Sequence, residues 1–573
     1  MKCSDYIADF LHAQGVEHVF ELIGGMITHL IDSIVIREKI QLICCHHEQG
    51  ASFAADAMGR VSGVPGVAMG TSGPGATNLL TGIGSCHFDS APAVFITGQV
   101  NRHEQKGDRA IRQLGFQETD IVAMAAPITK WAYLVQSADE VPAVLEKAFR
   151  LALSGRPGPV LIDIPMDVQR DDVNAPPPRK IAPVAGPAVA RTDVERLLEE
   201  VFAAERPLVL AGGGIRSAQS VQEFRTFVGR LGVPVVNSLM GTDVLPYNHP
   251  LRVGMIGSYG NRWANLAVAR SDLLFVLGSR LDVRQTGSQT DSFSEGRTIL
   301  HVDCESGEMN NRVTGCRTLL AELEAFFRAA NTALDGRDVP DRAAWLEEIT
   351  AERSRWPDTA EIRDVAGINP NEFLHSLSRA SGAASAYSID VGQHQMWAAQ
   401  SLELGPDQRF LTSGGMGVMG FALPAAIGAA CARPGRPVVV VAGDGGFQLN
   451  IQELQTIARN RLPIKMIVLN NLCHGMVRQF QQSYFEERYQ STFWGYSAPD
   501  FPAVAKAYRI ESARAESPGE VESALGRLWD DPSEPYLLEV MIDTFANAYP
   551  KMAFGLPISE MEPFATPIGM EGT

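Results

Sequence analysis

Short runs of β-branched and aliphatic residues alternate with helical patterns along most of the chain. Examples are GVPGVAMGTS and APAVFITG near the start, PLVLAGGG and DLLFVLGS in the middle, and RPVVVVAGDGG and LPIKMIVLNN toward the end. Continuously apolar strands followed by helices are typical of parallel sheets that carry helices on both faces. The pattern therefore predicts an α/β protein built from doubly wound parallel sheets.

Two stretches interrupt this alternation and predict domain boundaries. RDDVNAPPPRKIAPVAGPAVA at 170–190 is rich in Pro and Ala, and NTALDGRDVPDR lies near 331–342. A chain of 573 residues is too long for one hydrophobic core. We therefore expect three α/β domains and a Pro- and Met-rich C-terminal arm that lies over another part of the protein, at 1–170, 191–335, 366–545 and 546–573.

Composition excludes several classes of partner. The net charge of -17 disfavours nucleic acid, and no apolar run is long enough to predict a membrane span. The N-terminal MKCSDYIADFLHAQGV lacks the features of a secretory signal and predicts an amphipathic helix. Eight scattered cysteines without CxxC spacing argue against zinc and against a disulfide framework. A reducing cytoplasm is the expected location.

Two polar motifs follow neighbouring predicted strands near the end of the chain. The strand RPVVVVA ends at Gly443-Asp444-Gly445, and LPIKMIVLNN ends at Asn470-Asn471 after the helix NIQELQTIARN. Because a helical crossover returns the chain to the same edge of a parallel sheet, the two motifs are expected to lie close together. A carboxylate and an amide oxygen suit Mg²⁺, and the glycines and a helix N-terminus suit a diphosphate. A plain βαβ unit with a tight turn is the alternative.

The GDG…NN motif resembles the diphosphate-and-magnesium motif of thiamine diphosphate (ThDP) enzymes. Nearly the whole chain is similar to the acetohydroxyacid synthase, or acetolactate synthase, branch of that superfamily. The resemblance implies that the side chains of Asp444 and Asn471 and the backbone carbonyl of Cys473 bind Mg²⁺, with Gly443 and Gly445 at the diphosphate. It also implies a homodimer or homotetramer in which ThDP lies between two chains.

Glu48, in CCHHEQGASFAADAMGRVSG, follows a short predicted strand and opens a predicted helix. A carboxylate at a helix N-terminus is common without any catalytic role. The resemblance, however, implies that Glu48 is the acid that shares a proton with the aminopyrimidine ring of ThDP. The neighbouring His46 and His47 have no such role in the family.

Further loops of the first domain are similar to the family's cofactor and substrate site. GTSGPGATNLL resembles the segment beside the aminopyrimidine, which places Gly73 and Asn78 at the cofactor. FELIGGMITHL resembles the loop in which Gly25 faces the substrate oxygen, and LGFQETD resembles the segment in which Phe116 lines the substrate channel and Gln117 lies near the bound intermediate.

TSGGMGVMGFALPAAIGAA predicts a glycine turn and then a helix of small residues. By the resemblance, Gly417 lies at the cofactor, and Met419 matches the bulky residue that holds ThDP in a bent shape. A bent cofactor makes proton transfer intramolecular. A core methionine is the alternative interpretation of Met419.

The middle segment contains PLVLAGGGIRSAQ, a strand, Gly-rich turn and helix as in dinucleotide-binding folds, although Ser217 stands at the third glycine position. With SLMGTDVLP, GMIGSYGNRWAN, LGSRLDVRQTG and HVDCESGE, it resembles the family's FAD-binding pieces. The resemblance implies that Arg284 approaches the carboxylate of the second substrate, and that FAD is bound by Gly213, Gly214, Gly257, Arg280 and Asp303. A vestigial flavin site is the alternative.

Two positions of the predicted substrate channel depart from the family's pattern. Phe480 in GMVRQF stands where the family has Trp, and Met166 in IPMDVQ stands where it has Lys; Val477 lies in the same channel by the resemblance. We predict a ThDP-dependent carboligase that decarboxylates pyruvate and transfers the two-carbon unit to a second carbonyl compound.

Several alternatives to this function remain open from the sequence. The departures allow a carboligase that acts on a keto-sugar nucleotide or another ketone, as in the yersiniose-type branch. A 2-keto acid decarboxylase and a flavin-dependent pyruvate oxidase are further possibilities within the superfamily. A nucleotide-binding regulatory or scaffold protein on a decayed enzyme fold is the alternative from another class.

Overall fold

Three six-stranded sheets form the framework of the protein. The computed structural model describes residues 1–182, 186–363 and 365–571. Every pair of neighbouring strands in these sheets is parallel. The predicted class of doubly wound parallel sheets is therefore confirmed. We call each sheet with its flanking helices the first, middle and third domain, in chain order.

The first domain contains the N-terminal sheet. Its strands are β1 (His18–Leu22), β2 (Gln41–Cys44), β3 (Gly66–Gly70), β4 (Ala93–Gln99), β5 (Trp131–Leu134) and β6 (Pro159–Pro165). Its helices are α1 (Cys3–Ala13), α2 (Thr28–Arg37), α3 (Glu48–Ser62), α4 (Pro74–Asn78), α5 (Leu80–Asp89), α6 (Ile121–Ala125), α7 (Val141–Leu153) and α8 (Met166–Arg170). The strand order is β2-β1-β3-β4-β6-β5. Strands β3, β4 and β6 are buried along their whole length, which explains their unbroken apolar runs.

The middle domain has a different strand order. Its strands are β7 (Pro207–Ala211), β8 (Val235–Asn237), β9 (Arg252–Met255), β10 (Leu273–Leu277), β11 (Thr298–Asp303) and β12 (Arg317–Leu320). Its helices are α9 (Arg191–Ala203), α10 (Gly214–Ser217), α11 (Val221–Leu231), α12 (Arg262–Arg270), α13 (Val283–Thr286), α14 (Thr290–Ser294), α15 (Leu323–Ala333) and α16 (Ala343–Arg355). The order β12-β11-β10-β7-β8-β9 reverses direction between β10 and β7. Ligands of open α/β sheets bind at such a switch point.

Helix α16 lies between the ranges predicted for the middle and third domains. Its Trp345 and Ile349 are 4% and 6% exposed and belong to the core of the middle domain. The indole N–H of Trp345 donates to the carbonyl of Pro207 at 3.1 Å. The middle domain therefore extends past residue 335, because the apolar side of α16 covers its sheet.

The third domain repeats the topology of the first. Its strands are β13 (Ala386–Ile389), β14 (Arg409–Leu411), β15 (Val438–Gly443), β16 (Ile464–Asn470), β17 (Glu511–Ala515) and β18 (Tyr536–Met541). Its helices are α17 (Pro370–Ala380), α18 (Gln393–Ser401), α19 (Ala422–Ala432), α20 (Asp444–Gln448), α21 (Glu453–Asn460), α22 (Gly475–Tyr484), α23 (Phe501–Ala507) and α24 (Val521–Leu528). The order β14-β13-β15-β16-β18-β17 matches that of the first sheet strand for strand.

The C-terminal residues fold back onto the middle domain. Strand β19 (Lys551–Met552) pairs antiparallel with β20 (Met561–Glu562). The backbone N–H of Met552 donates to the carbonyl of Ser258 at 2.8 Å, and Met552 and Met561 belong to the core of the middle domain. None of the described helices is long and apolar enough to cross a membrane.

The first and third domains are joined by the packing of α3 against α19. One hydrophobic core contains Phe53 and Ala54 of α3 together with Phe421 and Ala422 at the start of α19. The two helix backbones approach so closely that a Cβ on Gly428 would overlap the carbonyl group of Ala54. Small residues along α19 are thus required by this approach, and the Ala- and Gly-rich sequence of the helix follows from it.

Replacement of Gly428 by Ala is expected to destabilise the protein. In an open helix the change would stabilise by about 1 kcal/mol, but here the new methyl group forces two backbones apart, at a cost of about 2 kcal/mol. The matched control is Gly382→Ala, where a methyl group would meet open space. Thermal unfolding should show a lower midpoint for G428A alone. Equal midpoints for G428A and wild type would mean that α3 and α19 separate freely.

A buried histidine links α17 to the loop that precedes it. His375 Nε2 lies 2.9 Å from Asp358 Oδ2, and its Nδ1 lies 2.8 Å from Glu403 Oε1. Arg379 also pairs with Glu403, at 3.0 Å. Burial lowers the pKa of His375, but the hydrogen bonds and charges of Asp358 and Glu403 outweigh it, so the pKa lies above its ordinary value of 6.5.

The stabilisation from His375 is expected to depend on pH. Because the pKa of His375 is higher in the folded state than the unfolded-state value of 6.5, its protonated form stabilises the fold. This stabilisation is complete below pH 6.5 and is lost as the pH rises through the folded-state pKa. His375→Gln should therefore destabilise more at about pH 6 than at about pH 9. Urea midpoints of the two proteins at both pH values test this, and a pH-independent difference would contradict it.

Candidate active site

The carboxyl ends of β15 and β16 bring together the three predicted metal ligands. The strands are adjacent, with Gly443 opposite Leu469. The inward-facing atom of the Asn471 amide lies 3.2 Å from Asp444 Oδ1 and 2.9 Å from the carbonyl oxygen of Cys473. The predicted proximity of the two motifs is thus realised in the structure.

The amide of Asn471 has two possible orientations at this position. With its oxygen inward, three oxygens converge with no proton between them, and these are the hard donors that Mg²⁺ takes. With its NH₂ group inward, the amide would donate to both other oxygens. The residues therefore fit a hard cation whose binding selects the first orientation. Among the described residues, no group of three or more His, Cys, Asp and Glu side chains could hold a metal ion.

Asp444 is nearly inaccessible to solvent, with 1% of its surface exposed. Burial raises the pKa of Asp444 to about 7, against the opposing hydrogen bonds from Tyr496 and from backbone N–H groups. The hydroxyl of Tyr496 donates to Asp444 Oδ2 at 2.8 Å. A bound cation would favour the ionised carboxylate.

Two histidine rings flank the glycines of the GDG turn. A Cβ on Gly443 would lie 2.9 Å from His394 Nδ1, and a Cβ on Gly445 would lie 2.6 Å from His474 Cε1. Burial lowers the pKa of His394 to about 3, so its ring is neutral near pH 7. Side-chain packing thus requires both glycines, in addition to the close ligand approach that the sequence suggested.

Glu48 opens α3 as predicted and is held by a neighbouring amide. Only 5% of Glu48 is exposed, and Asn78 Nδ2 at the end of α4 donates to its Oε2 at 2.9 Å. A Cβ on Gly75 would lie 3.1 Å from Glu48 Oε1. The sequence placed Asn78 at the cofactor but did not predict that it would fix the orientation of this carboxyl group.

Four more predicted residues belong to the connecting segments of the first domain. A Cβ on Gly73 would lie 3.0 Å from Cβ of Gln117, whose backbone adopts the left-handed region with φ 65°. A non-glycine residue in this region stores strain of the kind found at functional sites. The Met26 N–H, next to the exposed Gly25, donates to Thr71 Oγ1 at 3.2 Å. Phe116 is 79% exposed.

The first and third domains touch beside Glu48, but through its neighbours. Asn450 Nδ2 donates to Gln49 Oε1 at 3.2 Å, and Glu453 Oε1 accepts from the His46 N–H at 3.0 Å. No hydrogen bond among the described residues joins Glu48 to the oxygens of Asp444, Asn471 and Cys473. Within one chain, Glu48 and the metal ligands are therefore linked only through neighbouring residues.

The loop before α19 carries the residues predicted to shape the cofactor. Gly417 is exposed, and Met419 is half-buried. The backbone N–H groups of Gly420 and Ala422 donate to the carboxylate of the buried Asp390, at 2.9 and 3.0 Å. Asp390 thus anchors the loop on which Met419 sits.

Comparison with known proteins gives a consistent result over nearly the whole chain. Three family models match: the N-terminal TPP binding domain of thiamine pyrophosphate enzymes at residues 1–124, their central domain at 194–330, and their C-terminal TPP binding domain at 390–540. The chain is 37% identical to the acetolactate synthase isozyme 2 large subunit of Escherichia coli (strain K12), over 98% of this chain and 99% of that protein.

Two further relatives come from other groups of organisms. The acetolactate synthase large subunit of Lactococcus lactis subsp. lactis is 37% identical, over 97% of this chain and 95% of that protein. Acetolactate synthase 2, chloroplastic, of Nicotiana tabacum is 36% identical, over 97% of this chain and 84% of that protein. The chain belongs to the acetolactate synthase family. It is a ThDP-dependent enzyme of that family.

In this acetolactate synthase family member, most residues predicted to bind FAD lie at the carboxyl ends of strands of the middle domain. Gly213 and Gly214 follow β7, Arg280 follows β10, and Asp303 ends β11. A Cβ on Gly214 would lie 2.8 Å from Cα of Gly278, so the loops after β7 and β10 meet at the switch point. Ligands of open α/β sheets bind at such a switch point.

Gly257 and Arg284 lie beside the C-terminal arm of the acetolactate synthase family member. A Cβ on Gly257 would overlap the carbonyl oxygen of Arg284, which also accepts from the Ser258 N–H at 2.7 Å. The Arg284 side chain is exposed. Because Ser258 also binds Met552, the arm and the Arg284 loop form one packed unit.

The three predicted channel residues come from two domains. Met166 opens α8 and is half-buried, whereas Phe480 and Val477 lie on α22. Val477 is 53% exposed. The ring of Phe480 packs against Tyr484 with centroids 4.9 Å apart. No hydrogen bond or ring contact among the described residues connects Met166 to α22 in this acetolactate synthase family member.

Sequence reasoning missed four residues that surround the metal ligands. These are Gln393, His394, His474 and Tyr496. The Asn471 amide contacts Gln393 Oε1 at 3.2 Å. Gln393 and His394 reach the GDG…NN edge from the start of α18, and His474 and Tyr496 reach it from the segments on either side of α22. No spacing in the sequence predicts these four positions.

Proposed function

We propose that the protein is an acetolactate synthase that decarboxylates pyruvate and joins the two-carbon unit to a second keto acid. The observation that carries the proposal is the convergence of Asp444, Asn471 and the Cys473 carbonyl at one sheet edge, in a chain that also presents the buried Glu48 held by Asn78. The family relatives do not favour a decarboxylase, an oxidase or a decayed scaffold.

ThDP supplies the carbon nucleophile and the electron sink for decarboxylation when it is bound. Glu48 then holds and returns a proton at its carboxyl group, and Asn78 fixes the orientation of that group by donating to Oε2. Asp444, Asn471 and the Cys473 carbonyl would hold Mg²⁺, and Gly443 and Gly445 would leave room for a diphosphate.

Two chains complete each site in this proposal. Support comes from the lack of a hydrogen bond, among the described residues, between Glu48 and the metal ligands, and from large apolar side chains left exposed on or near the segments that carry the predicted site residues. Examples of such side chains are Ile23, Leu114, Phe116, Met124, Leu449 and Val477. Apolar surface of this extent is typical of an interface. A homodimer is the smallest assembly that completes the site, and a homotetramer preserves it.

FAD is proposed to occupy the switch point of the middle sheet. Gly213 and Gly214 would face the diphosphate, Asp303 at the end of β11 would face a ribose, and Gly257 and Arg280 would lie nearby. Arg284 is proposed to hold the carboxylate of the second substrate, since its exposed guanidinium has no ion-pair partner among the described residues.

Phe480, Met166, Val477 and Phe116 are proposed to line the route to the bound cofactor. Phe480 and Met166 replace the Trp and Lys of the family's pattern, so the acceptor pocket differs in shape and lacks one positive charge. A keto-sugar nucleotide or another ketone is therefore the alternative acceptor. All eight cysteines are free thiols, which supports placement in the cytoplasm.

Product analysis tests the proposed reaction. The purified protein is supplied with ThDP, Mg²⁺, FAD and pyruvate, and the products are measured by mass spectrometry. We expect it to convert two pyruvates into one acetolactate and one CO₂. Samples without ThDP or without Mg²⁺ are the controls. Free acetaldehyde without acetolactate would indicate a decarboxylase, and peroxide would indicate an oxidase. Turnover that requires an added ketone would identify a different acceptor.

A further inference from the structure

A cavity of about 290 Å³ lies outside the proposed active site. It is formed by the loop before β9, by α12 and by the outer helix α16. Its lining combines two arginines, aromatic rings and apolar side chains. The residues that matter here are Tyr247, His249, Arg252, Trp263, Ile349 and Arg353.

Arg252 is a buried cation without a counterion. Only 7% of it is exposed, and its guanidinium makes no ion pair or hydrogen bond with any described residue. Its nearest aromatic neighbour is Tyr247, whose ring centroid is 5.2 Å from Cζ. Burial and the charge of Arg353 lower the pKa of Arg252 to about 10, so the side chain stays charged near pH 7.

Arg353 brings a second positive charge to the same cavity. Its Cζ lies 5.1 Å from the ring centroid of Tyr247 and 5.6 Å from that of Trp263. Its Nη2 donates to the Tyr247 hydroxyl at 2.7 Å. Tyr247 therefore holds both guanidinium groups, but a tyrosine ring and hydroxyl do not neutralise two cations.

Asp358 is the carboxylate whose charge acts on Arg252, but its hydrogen bonds go to other residues. Asp358 accepts from Ser401 at 2.5 Å and lies 2.9 Å from His375 Nε2. Other buried arginines of this protein have hydrogen-bonding partners: Arg262 pairs with Glu361 at 2.7 Å, and Arg478, which has no carboxylate partner, donates to Asn547 Oδ1 and to the carbonyl of Ala546. The uncompensated pair at this cavity is thus unusual within the same molecule, and burial of unpaired charge is costly.

We propose that this cavity binds a small oxyanion, a phosphate or a carboxylate group, between the guanidinium groups of Arg252 and Arg353. A guanidinium presents paired N–H donors that match both groups. The proposal does not depend on the function assigned above.

The cavity adjoins the contact between the middle and third domains. The backbone N–H of Tyr247 donates to the carbonyl of Leu404 in the third domain at 2.8 Å, and the Tyr247 ring lies 6.1 Å from the ring of His375. An anion that holds Arg252 and Arg353 in place would therefore also hold the Tyr247 loop, which contacts the third domain. Binding should raise the stability of the whole protein.

Titration calorimetry with inorganic phosphate, and separately with malonate, tests the site. The protein is first saturated with ThDP and Mg²⁺, and ionic strength is held constant with NaCl. Wild type is expected to give saturable heat and a higher thermal midpoint with at least one of the two probes. Arg252→Met and Arg353→Met should each weaken that binding by about tenfold or more. The probe that binds more tightly distinguishes a phosphate site from a carboxylate site.

The matched control is Arg270→Met. Arg270 pairs with Glu348 and Glu352 on the outside of α16, so this variant removes a cation from the same helix pair without touching the cavity. Its binding should equal that of wild type. If R252M does not fold, R353M at a half-buried position still decides the question. Absence of saturable binding in wild type, or unchanged binding in R353M, would overturn the proposal.

Discussion

Replacement of Glu48 by Gln is expected to lower the rate of acetolactate formation by about a thousandfold, a loss typical of a removed general acid or base. The side chain is 5% exposed and is fixed by the Asn78 amide, so a glutamine of nearly the same shape can occupy the site. What it cannot do is hold and return the proton. The loss should therefore fall on kcat, and ThDP binding, followed by quenching of tryptophan fluorescence, should change little.

A second buried carboxyl group of the first domain provides the control. Glu21 on β1 is 1% exposed and accepts from Cys44 Sγ at 2.6 Å. Glu21→Gln makes the same chemical change away from the Asn78 contact and should leave the rate nearly unchanged. If E48Q keeps the wild-type rate, Glu48 has no part in proton transfer.

Asp444→Ala is expected to weaken Mg²⁺-dependent ThDP binding by at least about a hundredfold, since even residues that only support metal ligands are worth about ten- to a hundredfold. The variant removes the only charged member of the three converging oxygens. Calorimetric titration with ThDP, in Mg²⁺ and after treatment with EDTA, measures the effect. Wild type should lose binding on EDTA treatment, and D444A should bind weakly in both conditions.

Tyr496→Phe separates the metal role of Asp444 from a structural one. It removes the hydroxyl that donates to Oδ2 but leaves the carboxylate in place. We expect much weaker effects on ThDP affinity than in D444A. Equal losses in Y496F and D444A would indicate that the loop conformation matters, and not the carboxylate charge.

The parts of the fold that depend on local pattern were predictable from the sequence. Buried strands such as β15 and β16 have unbroken apolar runs, and parallel topology then brings their ends together, which is why the proximity of Asp444 and Asn471 was predicted. Glu48 at the start of α3 was predicted for the same reason, because a strand and a helix border it closely in sequence.

Contacts between distant segments could not be predicted in this way. Tyr496 reaches Asp444 across 52 positions of sequence, and Asn78 reaches Glu48 across 30. Helix α16 belongs to the middle domain because of two apolar side chains, Trp345 and Ile349, and the polar sequence around them resembles a boundary. Such contacts depend on how elements pack, and neither periodicity nor composition records that.

The matching strand orders of the first and third domains have a consequence for the origin of the chain. Helix α3 connects the second and third strands of one sheet, and α19 occupies the equivalent place in the other. These two equivalent helices pack directly on each other. A symmetric dimer of one ancestral domain, later fused through an inserted dinucleotide fold, would leave this arrangement. The two domains now differ in the chemistry proposed for them, with the buried Glu48 in the first and the converging oxygens of Asp444, Asn471 and Cys473 in the third.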